Sequence, residues 1–164
     1  MAAKKKPAKR PARRATRRPK KKPPAAAPGS HAKRQEPENL RLRAAMPSYT
    51  VNDLERSLAF YCDILGFFVK DRWEEGGQLV GVELVAGSVS IGLSQDDFSK
   101  GRDRVKGVGN RLWCTTAQDV DALAARIRRR GGQLDEGPIN APWGARMLTV
   151  TDPDGFKVSI AHGE

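Results

Sequence analysis

Apolar positions downstream of Leu40 follow two spacings. In NDLERSLAFYCDILG, Leu54, Leu58, Tyr61 and Leu65 recur at three- and four-residue steps, the stripe of an amphipathic helix. Asn52 or Asp53 stands where its cap belongs, and Gly66 supplies the stop. FFVKDRWEE, QLVGVELVA and SVSIGLS carry the denser patterns of strands, separated by Gly76-Gly77 and Ala86-Gly87. Upstream, LRAAMPSYTV predicts a strand that Pro47 confines to an edge or a bulge.

The same order then recurs. After the polar loop QDDFSKGRDRVKGVG, NRLWCTT predicts a strand and DVDALAARIRRRGG a second helix. Asp119 caps that helix, Val120, Leu123, Ala124 and Ile127 face inward, and Gly131 ends it. Three further strands are predicted around QLDEG, ARMLTVTD and FKVSIAH. The caps Asp53 and Asp119 lie 66 residues apart and the stops Gly66 and Gly131 lie 65 apart, so two βαβββ units follow one another at a nearly constant period. Between the last two strands, Asp152-Pro153-Asp154-Gly155 is a turn: Pro153 presets its backbone, the Asp side chains bond back to the main chain, and Gly155 takes the positive-φ position.

Composition divides the chain unevenly. Residues 1–39 hold 14 Lys or Arg against 2 Glu, a net of +12, and residues 40–164 hold 16 basic against 17 acidic side chains, a net of −1. The first segment is Lys, Arg, Pro and Ala with no aromatic residue, and such a composition predicts disorder. Lys4, Lys5, Lys6, Arg13, Arg14, Arg17, Arg18, Lys20, Lys21 and Lys22 form a candidate arm for nucleic acid or another polyanion, which such charge attracts without reading sequence. The alternatives are a solvated leader or a misassigned start. No apolar run of signal-peptide length stands near the N-terminus, and the Lys/Pro tract does not resemble a transit peptide. With only Cys62 and Cys114, the expectation is a reducing cytoplasmic setting, nucleoid-associated if the tail binds nucleic acid, with no membrane partner.

DLERSLAFYCDILGF, GAR…TVTDPDGFKVSI and the duplicated βαβββ order resemble the vicinal-oxygen-chelate superfamily, which includes glyoxalase I, extradiol dioxygenases and bleomycin-resistance proteins. The resemblance covers about residues 42–162. It implies an α+β fold in which tandem modules, about 40–97 and 108–162, form an open eight-stranded curved sheet or half-barrel, with helices outside and a ligand cup inside. It also implies a homodimer. In metal-dependent members four cup-facing positions carry His or Glu. By motif spacing these fall here on Met46, Gly92, Leu112 and Ser159, none of them a usable ligand for a divalent cation. A two-residue shift offers Ser90 or Ser94, and Asn110 or Cys114, which rebuild no cluster. His31 and His162 are the only histidines. No metal or other cofactor is therefore expected.

Alternation places Val89, Ile91 and Leu93 of SVSIGLS against the helix and Ser90, Gly92 and Ser94 inside, and it turns Asn110, Leu112 and Cys114 inward, leaving Trp113 under the second helix. With Met46, Ser48 and Ser159 the expected cup is lined by hydroxyls, an amide and small apolar groups, suited either to a small organic ligand or simply to strand curvature. Trp73 and Trp143 are assigned to the rim, as site or interface; Phe98 is left open. Ser159 has no nearby His to activate it, Lys157 reads as solvated rather than as a base, and Cys114 as inert packing.

Three functions remain: a metal-free small-molecule-binding protein, an enzyme (a metal-free lyase or isomerase, or a metalloenzyme with ligands elsewhere), and a nucleic-acid-associated protein anchored by its tail. The empty ligand positions favour the first. Bleomycin itself is a poor ligand candidate, because it is cationic and its binders present acidic clefts.

Overall fold

The computed structural model describes residues 40–163; the basic tail residues assigned above and His31 lie outside them. The element order is β1 (Ser48–Val51), α1 (Leu54–Leu58) running on into a π-helical segment (Ala59–Leu65), β2 (Phe68–Glu75), β3 (Gln78–Ala86) and β4 (Val89–Gln95). The second half repeats it with β5 (Arg111–Thr116), α2 (Val120–Arg129), β6 (Glu136–Asn140), β7 (Arg146–Thr151) and β8 (Lys157–His162). Each half is an open four-stranded sheet, in the orders β1-β4-β3-β2 and β5-β8-β7-β6. In each, the first strand runs parallel to the last and the other pairs are antiparallel.

Local chemistry explains the boundaries. Asp53, not Asn52, is the first cap: its carboxylate accepts from the Arg56 amide at 3.0 Å. Asp119 does the same for the Ala122 amide at 2.9 Å, and Val120, Leu123, Ala124 and Ile127 are buried as the stripe predicts. In the first helix the wider π-helical bonding rotates later residues about the axis. Phe60 and Tyr61 therefore both reach the core, while Leu58 is only half-buried. Pro47 stays outside β1, an edge strand, and its carbonyl accepts from Gly92 N–H at 2.8 Å. The strand placed around QLDEG begins only at Glu136. Before it the chain turns back tightly at Gly132, whose N–H bonds Ile127 O at 2.9 Å and where a Cβ would lie 2.5 Å from Ile64.

Val82, Leu84, Ile91 and Leu93 of the first sheet and Leu148, Val150 and Val158 of the second are fully buried in one core shared with both helices. Each such side chain is worth about 1.5–3 kcal/mol on burial. Each sheet thus turns its opposite face away from the core. The Asp152–Gly155 turn fastens the halves together. Tyr49 stacks on Phe156 with centroids 4.4 Å apart, Tyr61 O–H donates to Asp152 at 3.1 Å, and the Asn52 amide donates to the Asp154 carboxylate at 3.1 Å. The linker between halves rests on the same turn: a Cβ on Gly107 would come within 2.1 Å of Gly155. Just upstream, Asp96 is paired with Arg104 and Lys106, each at 2.6 Å.

Candidate functional site

The face of the second sheet that points away from the core is built by alternate residues of β5, β7 and β8. Here the expected parity of β5 is reversed. Leu112 packs against the core and Cys114 lies on the same side, half-buried, whereas Arg111, Trp113 and Thr115 occupy the outer face. Registration against β8 is the reason: Leu112 lies beside Val158, which is committed to the core, and Trp113 beside Ser159. A one-residue difference in counting moves every side chain to the opposite face. The sequence does carry the signal, since Arg111 and Thr115 share the parity of Trp113 and are poor core residues.

Ser159 does point away from the core-facing Val158, yet it has no exposed surface. Its hydroxyl shares a hydrogen bond with Thr149 at 2.9 Å, and Arg111 Nη1 donates to it at 3.2 Å. The pair is a floor with a guanidinium laid over it. Beside it, the indoles of Trp113 and Trp143 approach to 6.0 Å with their planes inclined by 52°. They are 44% and 66% exposed, so a large part of this aromatic surface faces solvent. Trp143 is carried by the tight β6–β7 connection, closed by Ala141 N–H to Ala145 O at 2.8 Å and seated on a small buried cluster of Ala141, Met147 and Ala161.

The corresponding face of the first sheet has its own aromatic. Trp73 lies across two glycines: a Cβ on Gly81 would stand 2.5 Å from its ring, and one on Gly92 would stand 3.3 Å from the ring and 3.1 Å from Ser48 Oγ. Gly92 is therefore a bed for an indole. Ser90 and Ser94 are half-buried on this face, and Ile91 and Leu93 point to the core, as alternation predicts. Glu83, not anticipated from sequence, accepts from Lys70 Nζ at 2.8 Å, and that bond holds its carboxyl below the ordinary range. Met46 is exposed ahead of β1, and Asn110 is exposed ahead of β5 in a turn closed by its N–H to Gly107 O.

A family model described as the Glyoxalase/Bleomycin resistance protein/Dioxygenase superfamily matches residues 43–160. The chain belongs to this superfamily. It is 28% identical over 116 residues to a probable lactoylglutathione lyase of Synechocystis, a match spanning 67% of this chain and 87% of that protein. Among solved structures it is similar to TnmS3, an antibiotic-binding protein from Streptomyces sp. CB03234, with 24% identity and a TM-score of 0.56 over 76% of this chain and all of that one. It is also similar to lactoylglutathione lyase from Agrobacterium tumefaciens, with 20% identity and a TM-score of 0.56 over 75% and 96% of the two chains. These structural likenesses establish the fold.

Glyoxalase-type chemistry in this superfamily implies a divalent metal, and the residues at the four positions assigned by spacing do not fit one. Met46 offers an exposed thioether, Gly92 has no side chain and lies under Trp73, and Leu112 is turned into the core. Ser159 is covered by a guanidinium, whose charge opposes a cation at that point. Among the described residues no three His, Cys, Asp or Glu side chains are grouped to hold an ion.

Proposed function

We propose that this domain binds a small organic ligand with a planar aromatic part, without a metal, on the face carrying Trp113, Trp143 and Arg111. The observation that supports the reading is the exposed indole pair beside a guanidinium seated on the buried Ser159–Thr149 hydroxyls. Indoles supply stacking area at little entropic cost, and the remaining guanidinium N–H groups are donors for a ligand carbonyl or similar acceptor. The face of the first sheet, with Trp73 and Ser48, forms the opposing wall when contributed by a second copy of the chain, since within one chain both faces point away from the shared core. The protein acts as a homodimer in this reading.

Residues 1–39 serve as an accessory electrostatic arm for nucleic acid or another polyanion, through their charge alone. A cytoplasmic setting accords with the two free cysteines; among the described residues no helix is long and apolar enough to cross a membrane. The metal-free clause is tested by elemental analysis after incubation with Zn, Ni, Mn and Fe(II) and removal of excess metal. Well under one ion per chain is expected. One tightly held ion per chain would require a donor set other than Met46, Gly92, Leu112 and Ser159 and would redirect the search to catalysis.

A further inference from the structure

The opposite side of β5 borders a second space. A cavity of about 530 Å³ opens between the two modules on the helix side, where the end of the first helix and the β3–β4 hairpin meet β5, α2 and β8. It is separated from the tryptophan face by the thickness of the sheet: Trp113 lies on one side of β5 and Cys114 on the other. Leu65, Phe67, Leu123 and Ile160 give it apolar walls, and Ser88 and Thr116 are polar members of its lining. The volume lies within the range of sites for drug-sized molecules.

Among the described residues one lining side chain is charged, and it is a cation. Arg126 projects from α2 into this lining, and its Nε is buried without a hydrogen-bond partner. Among the described residues no carboxylate lies in the lining, and burial raises the Cys114 thiol above its ordinary range, so that group stays neutral. The guanidinium is the charge that an anionic ligand entering the cavity meets, and charge-assisted hydrogen bonds to it are the strong ones. Arg126 therefore selects for an anionic head group, and the apolar walls for the body attached to it.

We propose that this intermodule cavity is a second ligand site, distinct from the tryptophan face, and that it takes an amphiphilic monocarboxylate with its head on Arg126 and its hydrocarbon body against Leu65, Phe67, Leu123 and Ile160. The reading goes beyond the ligand face proposed above and does not depend on it.

The test uses decanoate with the full-length protein. Calorimetry should show saturable binding, weakened about tenfold or more by Arg126→Met, partly restored by Arg126→Lys and unchanged by Trp113→Ala. In the unmutated protein, decanoate should also slow iodoacetamide alkylation of Cys114, followed peptide by peptide so that Cys62 is read separately. This second measurement holds even if the Arg126 variants fold poorly. Absence of binding up to the solubility limit, unchanged Cys114 labelling at saturation, or affinity lost with Trp113 and kept without Arg126 would each overturn the proposal.

Discussion

Tyr61 in the first module donates its hydroxyl hydrogen to Asp152 in the second, 91 residues away in sequence, and both side chains are buried. Asp152 also accepts the amides of Asp154 and Phe156, so one carboxylate shapes the turn and ties it to the other half of the domain. Burial pushes the Asp152 pKa above its ordinary value of 3.8, with the three hydrogen bonds pulling the other way. Stability from this group is thus fully present below that value and is lost as pH rises through the folded-state value. Tyr61→Phe removes a donor to the ionised form and should cost about 1–3 kcal/mol at neutral pH. Urea denaturation across pH should show the deficit growing as pH rises through the folded-state value; a constant deficit would mean that the hydroxyl does not serve the carboxylate.

Asp96 carries the opposite sign. The bond from Lys106, then the Phe98 amide and Arg104, hold its pKa well below 3.8 against the effect of burial. Its contribution is present above that value and is lost as pH falls through the folded-state value. Asp96→Asn should lower the melting temperature at neutral pH, and calorimetric scans should show the two proteins converging in acid. A difference that persists undiminished into strong acid would contradict this pairing.

Gly81→Ala should be destabilising by about 1–3 kcal/mol, because its Cβ meets both the Trp73 ring and the Leu93 carbonyl oxygen. The Trp73 ring should shift as well, which tryptophan emission reports. Unchanged stability and emission would mean that the indole does not rest on this glycine.

Deleting residues 1–39 should remove affinity for a DNA duplex of arbitrary sequence. In the full chain that affinity should fall linearly with salt on a double-logarithmic plot, with a slope of about −0.9 per phosphate neutralised. Retention of affinity after the deletion would assign it to the folded domain instead.

What was legible in the sequence was local. Capping by Asp119, the stops at Gly66 and Gly131, and the alternation of β4 each follow from a few neighbouring residues, and two copies of one order gave the fold. The site was harder to read because its parity depends on pairing. Counting from the helix end put Leu112 inward and Trp113 under α2, whereas the commitment of Val158 to the core settles β5 the other way. Ser159 was placed on the correct face, but its burial beneath Arg111 is a contact across 48 residues that no local pattern encodes. The role of the Asp152–Gly155 turn as a clasp between modules was hidden for the same reason.

The most direct test of ligand binding at the indole pair is a fluorescence titration of the intact protein, with EDTA present, against a panel of planar aromatic compounds bearing a hydrogen-bond acceptor. The expected result is saturable quenching by at least one compound, with affinity reduced about tenfold in Trp113→Ala and in Arg111→Met while the fold, followed by circular dichroism, is retained. Binding that survives both substitutions, or that appears only when a divalent metal is restored, would contradict it.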